Sequence, residues 1–406
     1  MIKIILRKGR DESLRRFHPW VFSGAIAEIQ GNPSEGDIVS VHASDGSLLA
    51  YGHYQIGSIA VRVLSFDEGA LSPDYWTDML SKALQARKAC GLHVSSDICV
   101  SPESRTNCYR LVHGEGDNLP GLIIDYYDGV CVMQAHSVGM FRAKKQISDA
   151  LQKVYGPELK AVYDKSSGTA PFKAGLDLVD GYMYRQEGFN DDEQIVLENG
   201  HKFFVNWTEG QKTGFFLDQR DNRALVKKYA SGKNVLNLFC YTGGFSIYAL
   251  NGGAAHVDSV DSSRKAMDMV VKNVELNGFT EGVEHTSYCE DAIEFMRKCE
   301  GNKYDLMIVD PPAFAKHRGA LDNALRAYKR LNALAIEKVK PGGIVFTYSC
   351  SQVVDKINFA LAVFSAAAQT GRRVRILHRL TQPADHPVNI YHPEGEYLKG
   401  LVLLVE

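Results

Sequence analysis

Two short segments of the sequence carry side chains whose types and spacing could do chemistry. In the first, YDLMIVDPPAF, an apolar run ends at Asp310 and continues into two prolines and an aromatic residue. Each proline fixes its own φ and restricts the residue before it, so this turn is rigid. We expect the turn to hold the Asp310 carboxylate out of the end of a strand, with the ring of Phe314 free to stack on a planar partner.

The second segment, TYSCSQ, places Cys350 directly after the apolar run at residues 343–346. The carboxyl ends of strands in α/β sheets are where such folds bind ligands. Two interpretations of this cysteine are open, a nucleophilic thiol or a small buried residue that only packs. A nucleophile should have a thiol pKa below the ordinary value of about 8.5. Cys240 is expected to be structural.

A glycine pair follows another apolar run, in NVLNLFCYTGGFSIYAL, and Asp261 comes after it in the chain. A glycine-rich turn between a strand and a helix directs backbone N–H groups at an anion. An acidic residue at the end of the second strand suits a ribose diol. The GxGxxG pattern of dinucleotide sites is absent. The loop therefore favours a ligand with a ribose and a carboxylate, such as S-adenosylmethionine, over NAD.

Strand and helix patterns alternate from about residue 190 onward and place these segments on one sheet. Strands are predicted at NVLNLF, AHVDSVD, VEHTSY, YDLMIVD and IVFTYS. Helices are predicted at FSIYALNG, SRKAMDMVVKNVELNG, DAIEFMRKC and residues 321–339. Alternation of this kind indicates a parallel, doubly wound sheet. RVRILHRL and KGLVLLVE follow with no helix between them, so we expect the last two strands to be antiparallel.

The preceding part of the chain lacks this alternation. Hairpin signals appear around ASDGS and in SIAVRVLSF, and residues 75–91 predict a helix. LPGLIIDYYDGVCVMQAHSV predicts a hairpin, residues 141–154 a helix and KAVYD a strand. We therefore expect three domains. They are a β-rich domain at residues 1–70, a small α+β domain at 71–190 and an α/β domain at 191–406.

The composition is that of an ordinary globular protein. Apolar residues make up 45% and charged residues 23% of the 406 residues, which is typical of a folded soluble chain. No apolar run reaches the roughly 18 residues that span a bilayer, and the opening MIKIILRKGR does not form a secretory signal. A cytoplasmic protein without membrane contact is therefore expected. The eight cysteines include no CxxC pair, so neither a disulfide framework nor a metal site is expected.

The net charge of −2 does not indicate a nucleic-acid-binding protein, but the charge is uneven along the chain. Basic side chains dominate the first sixteen residues. A second basic cluster consists of Arg372, Arg373, Arg375 and Arg379. Such clusters are often only solvated faces. They are also compatible with local contact to phosphates.

The motifs in combination resemble a known family. DPPAF, NLFCYTGGFS, GQKTGFFLDQRDNR and the SCS around Cys350 resemble the RlmI-type methyltransferases, which form 5-methylcytosine in large-subunit (23S) ribosomal RNA. RRFHPWVFSGAI resembles that family's PUA RNA-binding domain, and RLVHGEGDNLPGLIIDYY resembles its central domain. The resemblance covers the whole chain. It implies an α/β fold, with a Rossmann-like class I methyltransferase domain, an N-terminal β-rich PUA domain and a small central α+β domain.

The resemblance also implies roles for individual residues. Cys350 and Asp310 would be catalytic, and S-adenosylmethionine would be the cofactor. Asp261 would hold its ribose and Asp291 its adenine amine. The full set of cofactor-binding residues would be Gln219, Arg220, Phe239, Thr242, Gly243, Gly244, Asp261, Ser262, Asp291, Ala292 and Asp310. The substrate base would meet Pro311, Pro312 and Phe314, and the RNA would meet Arg15, Arg16, His18, Arg372 and Arg373.

The thiol fits this chemistry because carbon 5 of cytosine is a poor nucleophile. A thiolate that adds to carbon 6 breaks the ring's conjugation, so that carbon 5 can accept a methyl group. Asp310 would bind the amine and N3 edge of the ring and stabilise the shifted charge. A base must then remove the proton on carbon 5. The sequence does not identify that base, and Lys316 and a bound water are the candidates.

Other functions remain open at this point. Asp-Pro-Pro-aromatic also resembles the motif of enzymes that methylate a nitrogen of a nucleic-acid base, which need no thiol. Uracil carbon 5 could be the target instead, because it uses the same thiol chemistry. A small-molecule methyltransferase and a cofactor-binding ribosome-assembly factor are further alternatives. Naked 23S rRNA or a large-subunit assembly intermediate is the expected partner, since bases are usually read when unpaired or extruded. Homodimer formation is left open.

Overall fold

The fold was obtained as a computed structural model that describes residues 2–67, 72–92, 104–171, 175–315 and 317–406. Four β-sheets are found in these ranges, with six, five, two and seven strands. No helix in the described ranges is long and apolar enough to cross a membrane.

The N-terminal sheet has six strands in the order β2-β6-β5-β4-β1-β3. Its elements are β1 (Ile2–Leu6), α1 (Glu12–Arg15), β2 (Trp20–Phe22), β3 (Ile26–Gln30), β4 (Ile38–His42), β5 (Leu48–Tyr54) and β6 (Ile59–Ser65). All neighbouring pairs are antiparallel except β1 with β4. The β4–β5 hairpin around ASDGS is confirmed, and the Asp45 carboxylate accepts hydrogen bonds from the Ser47 amide and hydroxyl in its turn. The apolar sides of these strands enclose a small core of their own.

A five-stranded central sheet follows, in the order β11-β10-β9-β8-β7. Its elements are α2 (Tyr75–Ala89), β7 (Cys108–His113), β8 (Leu122–Tyr127), β9 (Val130–Ala135), α3 (Val138–Arg142), α4 (Lys144–Tyr155), β10 (Ala161–Asp164) and β11 (Gly181–Arg185). The predicted hairpin turns at Asp128 and Gly129, which both have positive φ (42° and 97°), as a tight two-residue turn requires. The helix predicted at 141–154 is divided into α3 and α4.

The C-terminal sheet has seven strands in the order β16-β15-β14-β17-β18-β20-β19 and is preceded by a two-stranded hairpin of β12 (Glu193–Glu198) and β13 (His201–Asn206). Its strands are β14 (Asn234–Leu238), β15 (His256–Asp261), β16 (His285–Cys289), β17 (Leu306–Val309), β18 (Gly343–Ser349), β19 (Val374–Leu380) and β20 (Lys399–Val405). Its helices are α5 (Arg220–Tyr229), α6 (Gly244–Asn251), α7 (Arg264–Leu276), α8 (Ala292–Lys298), α9 (Leu321–Lys338) and α10 (Lys356–Thr370).

Strands β14 to β18 are parallel, and β20 is antiparallel to both β18 and β19. Both predictions for this sheet are thus confirmed. Two separate apolar cores pack against its two faces, so that the strands are buried on both sides, as parallel strands are in doubly wound folds. The strand order reverses between β14 and β17, and ligands bind at such a reversal in open α/β sheets.

Candidate active site

The strand register brings the predicted site residues to one edge of the C-terminal sheet. Leu238 at the end of β14 pairs with Val260 on one side and Val309 on the other, and Val309 pairs with Thr347 of β18. The residues at or directly after these strand ends are Phe239, Asp261, Asp310 and Cys350. Chain segments that are distant in sequence therefore meet where the strand order reverses.

A cavity of about 320 Å³ lies at this edge, which is within the usual size of a small-molecule site. Most of the residues predicted for the cofactor and the substrate base line it. They are Gln219, Phe239, Thr242, Gly244, Asp261, Ser262, Asp291, Ala292, Asp310, Pro311, Pro312 and Cys350.

The loop between β14 and α6 forms one wall of this cavity in a strained conformation. Phe239 and Tyr241 have φ of 58° and 49°, which is uncommon for residues with a side chain. Gly243 also has positive φ (82°), and a Cβ there would lie 3.3 Å from Val270. Gly243 shapes the turn but does not itself line the cavity. Strain of this kind is characteristic of functional sites.

Asp261 ties this loop to the second strand. Its Oδ2 accepts a hydrogen bond from the Tyr241 amide (3.0 Å), and its Oδ1 accepts one from the Ser263 amide (2.9 Å). The carboxylate is therefore fixed at the cavity wall. Each oxygen retains one lone pair, which suits the two hydroxyl donors of a ribose.

Asp291 lies at the N-terminus of α8 and caps that helix. Its Oδ1 accepts hydrogen bonds from the amides of Ile293 (2.9 Å) and Glu294 (3.0 Å). Its second oxygen is not used by the cap. An exposed carboxylate at a cavity wall can accept a hydrogen bond from an amine.

Asp310 is held by a chain of side-chain amides. Gln219 Nε2 donates to Asp310 Oδ2 (2.9 Å), and Asn222 Nδ2 donates to Gln219 Oε1 (2.6 Å). Burial, together with the charge of Asp218, raises the pKa of Asp310 to about 7. Because that value is near neutral, this carboxyl group can both hold and release a proton under ordinary conditions.

Asp218 lines the same cavity but titrates differently. Burial would raise its pKa, but the charges of Lys212 and His386 and the Tyr397 hydroxyl, which donates to Asp218 Oδ2 (2.7 Å), keep it below its ordinary value. Two carboxyl groups whose environments move their pKa values apart can divide acid and base roles. Asp218 is suited to remain charged, and Asp310 is suited to exchange a proton.

Cys350 follows β18 on a segment that is anchored on both sides. The Ser351 hydroxyl donates to the Ala315 carbonyl (2.7 Å), which links this segment to the DPPAF turn. The buried Lys399 ammonium donates to the carbonyls of Ser351 and Val354. Both serines of the SCS motif are buried. The flanking serines and Lys399 therefore fix the position of the thiol.

The pKa of the Cys350 thiol differs from the expectation for a nucleophile. Burial and, after it, the charge of Asp310 raise this pKa to about 11. The resting side chain is therefore a protonated thiol, and the expected lowering of the pKa is not found. Cys240 also lines the cavity, and burial raises its thiol pKa well above the ordinary value. Its Sγ lies against the Met267 sulfur (3.6 Å), in agreement with a packing role.

Besides Gly243, two predicted site residues do not line this cavity. Arg220 is buried and pairs with Asp385 (2.8 Å), and it donates to the Cys108 carbonyl (3.0 Å). It joins the central sheet to the segment before β20. The Phe314 ring lies 4.8 Å from the ring of Tyr328 on α9 and packs into the core there. The half-buried ring does not line the cavity, and its stacking on a base stays a prediction.

Residues that were not predicted also line the cavity, among them Arg223 and Lys212. Arg223 forms a two-pronged ion pair with the buried Glu198 (2.8 and 2.7 Å) and donates to the Phe216 carbonyl (2.9 Å). Lys212 has positive φ (50°), and its ammonium lies 4.4 Å from the centre of the Phe216 ring. Both belong to the GQKTGFFLDQRDNR segment, and of its two arginines Arg223, not Arg220, lines the cavity.

The three basic residues predicted for RNA contact near the N-terminus differ in their surroundings. Arg15 pairs with Asp11 (2.6 Å). Arg16 is largely exposed, with Glu12 at 3.9 Å. The His18 ring packs edge-on against the rings of Trp20 and His392. Arg16 is thus the residue of this set best placed to meet a phosphate.

Arg372 and Arg373 also differ from each other. Arg372 donates to the carbonyls of Ile336 (2.5 Å) and Val339 (2.7 Å), which closes the C-terminal end of α9. These bonds give the side chain a structural role, and the expected RNA contact stays a prediction. Arg373 is exposed on the surface. The basic cluster is therefore only partly available to a partner.

Two further expectations concern a metal site and the base that removes a proton. No metal site was expected, but His18, His392 and Glu394 bring ligand atoms within 4.8 Å of one another at the junction of the N-terminal sheet and the segment before β20. Lys316, a candidate for the base that removes a proton, lies outside the described residues.

Comparison with known proteins identifies two regions of the chain. Residues 185–397 match the model of the S-adenosylmethionine-dependent methyltransferases, and residues 4–66 match the model of PUA-like domains. The site fits that cofactor, because a glycine turn, a ribose-suited carboxylate and a capping carboxylate share one cavity of suitable size.

Full-length relatives and a solved structure are also similar. Ribosomal RNA large subunit methyltransferase I from Aeromonas salmonicida is 42% identical, over 98% of each chain. The protein of that name from Shewanella amazonensis is 39% identical, over 100% of this chain and 99% of its own. The crystal structure of SMU.776, a methyltransferase complexed with SAH, superposes with a TM-score of 0.83 over 100% of both chains at 23% identity. The last likeness concerns the fold alone.

Proposed function

The chain belongs to the family of ribosomal RNA large subunit methyltransferases I, and from this premise we propose that it forms 5-methylcytosine in 23S rRNA through the thiol of Cys350. When bound, S-adenosylmethionine supplies the methyl group. The observation that carries the proposal is that Cys350 and Asp310 line one cavity together with the residues that suit the cofactor. A thiol and a carboxyl group with a near-neutral pKa are the two groups that this reaction needs from the protein.

Cys350 acts as the nucleophile. Its sulfur forms a bond to carbon 6 of the ring, and the electron pair of the carbon 5–carbon 6 double bond shifts toward N3. N3 then takes up a proton, which leaves carbon 5 with enamine character and able to accept the methyl group. Covalent addition in this way replaces one difficult step with two easier ones.

Asp310 carries the proton. The resting thiol is protonated because its pKa is about 11, and the proton that leaves sulfur balances the one that arrives at N3. Asp310, with a pKa of about 7, can accept the first and donate the second. Its proton uptake also removes the negative charge that raises the thiol pKa. The hydrogen bond from Gln219 keeps the carboxyl group pointed at the cavity.

Loss of the carbon 5 proton and release of sulfur complete the cycle. Once carbon 5 is methylated, a base removes its remaining proton, the carbon 5–carbon 6 double bond re-forms and the thiolate leaves. N3 gives up the proton that it took up earlier, and the sulfur takes up a proton, which restores the resting thiol. Several groups at the cavity, as well as bound water, can serve as that base, and we assign none of them.

Ribosomal RNA is the proposed partner, in naked or partly assembled form, and the PUA-like region is proposed to help bind it. Arg16 and Arg373 are exposed basic residues that can meet its phosphates. A cytoplasmic location follows from this substrate.

Methylation of a base nitrogen is the alternative that a specific observation favours. A thiol pKa of about 11 is unusual for a catalytic cysteine, whereas the DPPAF turn would serve nitrogen chemistry without a thiol. Mass spectrometry of 23S rRNA nucleosides from cells with and without the protein distinguishes the two. The proposal predicts loss of one 5-methylcytosine. Loss of an N-methylated base or of 5-methyluridine instead would contradict it.

A further inference from the structure

A second cavity, of about 780 Å³, also reaches Cys350. It lies between the edge of the C-terminal sheet and the central sheet. Its walls include Arg110, His113, Ile123 and Gln134 of the central sheet, together with Lys212 and Cys350. The volume is within the range of small-molecule sites, and the cavity is wider than the cofactor cavity.

Cys350 and Lys212 line both cavities. A ring in the second cavity with its carbon 6 at the sulfur would therefore face the space that suits the methyl donor. Since the first cavity is occupied by the cofactor during the reaction, the target nucleotide must reach the thiol from another direction. The second cavity provides that direction.

The floor of the second cavity is a row of side chains across the central sheet. His113 of β7 pairs with Ile123 of β8, which in turn pairs with Gln134 of β9. Residues in register on adjacent strands point to the same face of a sheet. The central sheet thus presents one continuous surface toward the catalytic thiol.

Most polar side chains at this cavity already have partners. Arg110 pairs with Asp125 (2.8 Å), and the Lys165 ammonium donates to the carbonyls of Trp207 and Gly210. The Ser167 hydroxyl donates to Asp180 (2.8 Å). These groups hold the walls in place and have less capacity left for a ligand.

Gln134 is different. Gln134 lines the cavity and is 8% exposed, and its side-chain amide makes no hydrogen bond to another residue within the ranges that the structure describes. The amide nitrogen and oxygen keep access to solvent at the cavity wall, so they are free to bond a ligand there. An amide offers both a donor and an acceptor, which is what the hydrogen-bonding edge of a pyrimidine requires.

We infer that the second cavity receives the target nucleotide of the RNA, an unpaired pyrimidine, and that the amide of Gln134 hydrogen-bonds its base. This inference rests on the proposed function. It gives the central domain a role in catalysis as the surface against which the extruded base is positioned. Gln134 is a positioning residue, since the bond-forming groups are Cys350 and Asp310.

The test compares two substitutions of equal size in the full-length protein. Gln134→Met keeps the length of the side chain and removes both hydrogen-bonding groups. Gln152→Met does the same to a half-buried glutamine on α4 that does not line the cavity. Methyl transfer to a 23S rRNA transcript is measured as kcat/KM, and S-adenosylmethionine affinity is measured by calorimetry.

Gln134→Met should lower kcat/KM by about 5- to 100-fold, the loss expected for one buried hydrogen bond. The cofactor Kd should change less than twofold, and Gln152→Met should behave as the native protein in both assays. A Gln134→Met protein that melts normally and keeps native kcat/KM would overturn the inference. Equal losses in both variants would overturn it as well, because they would indicate a general effect of the substitution.

A second measurement uses the native protein and does not depend on the variant folding. RNA is crosslinked to the enzyme by ultraviolet light, and crosslinked peptides are identified by mass spectrometry. Peptides that contain β8 and β9 are expected, and crosslinks confined to residues outside the second cavity would overturn the inference. If the native protein forms no 5-methylcytosine at all, the proposed function fails. If it does form 5-methylcytosine and these tests are negative, only the role of Gln134 and its cavity fails.

Discussion

Slow reaction of the Cys350 thiol in the free protein is the prediction that follows most directly from its environment. At pH 8 a thiol with a pKa of about 11 is ionised in roughly 1 molecule of 1,000, against about 1 in 10 for an exposed reference thiol with a pKa of 9.0. The hundredfold loss of thiolate is partly offset, because a more basic thiolate is a better nucleophile. With a Brønsted slope of about 0.4–0.5, the higher pKa makes each thiolate roughly 6- to 10-fold more reactive. Exchange with a small disulfide should therefore be roughly 10- to 16-fold slower than for a model peptide of equal accessibility.

The assay is disulfide exchange, followed for the Cys350 peptide by mass spectrometry at several pH values. The rate should rise about tenfold per pH unit between pH 7 and 10, since the pH stays below the thiol pKa throughout this range. A rate equal to that of the model peptide, with a plateau above pH 8, would show that the pKa is lowered and would refute this reasoning.

Substitution Asp310→Asn tests the cause of the shift. The charge of Asp310 raises the thiol pKa, and with a pKa of about 7 this carboxyl group is mostly ionised at pH 8 and mostly neutral at pH 6. Removal of the charge should therefore accelerate exchange at pH 8 more than at pH 6, while methyl transfer is lost. Slower exchange at pH 8 would contradict the coupling between the two groups.

Three further predictions concern the cofactor, stability and RNA. Asp261→Ala should weaken S-adenosylmethionine binding by about 1–3 kcal/mol in calorimetry, because charge-assisted hydrogen bonds are lost; unchanged binding, or tight binding of NAD, would count against the cofactor site. Asp310→Asn should stabilise the protein at pH 8, by at most on the order of 4 kcal/mol. The reason is that a carboxyl group with a folded pKa near 7 and an unfolded pKa near 3.8 disfavours folding once it ionises. The gain should vanish near pH 4 in thermal melts, and a constant gain at both pH values would contradict it. Affinity for an rRNA transcript should fall steeply as the salt concentration rises. Arg16→Ser should make this dependence on salt weaker, whereas Arg372→Ser should not. Binding that does not change with salt concentration would refute phosphate contact.

Much of the fold was predictable because local patterns agree with the long-range structure. Apolar strands alternate with amphipathic helices from β14 onward, and a parallel sheet then brings all strand ends to one edge. That geometry alone predicts that Asp261, Asp310 and Cys350 lie close together, whatever fills the rest of the chain.

Which of the two arginines lines the cavity depends on pairing between distant segments. Arg220 and Arg223 lie three residues apart in one motif, and only their partners decide which of them reaches the cavity. Arg220 forms an ion pair with Asp385, and Arg223 forms one with Glu198 at the cavity wall. Neither partner is close to the motif in sequence.

The packing of Phe314 and the thiol pKa also depend on the folded structure. The ring of Phe314 packs against Tyr328 on the following helix, and the DPPAF sequence itself does not indicate that contact. The pKa of Cys350 depends first on burial, which is a property of the packed structure. Lys399 is a further example, since a lysine near the end of the chain gives no sign that it anchors the segment after β18.

The most direct test of the central claim is a covalent trap. An rRNA transcript that contains 5-fluorocytidine is incubated with the protein and S-adenosylmethionine, and the protein–RNA complex is digested and mapped by mass spectrometry. Fluorine at carbon 5 cannot leave as a proton does, so the bond between sulfur and carbon 6 should persist. The account predicts a stable complex linked at Cys350 for the native protein and for Cys240→Ala, and none for Cys350→Ala. A Cys350→Ala protein that forms the complex, or that methylates unmodified rRNA at a near-native rate, would contradict it.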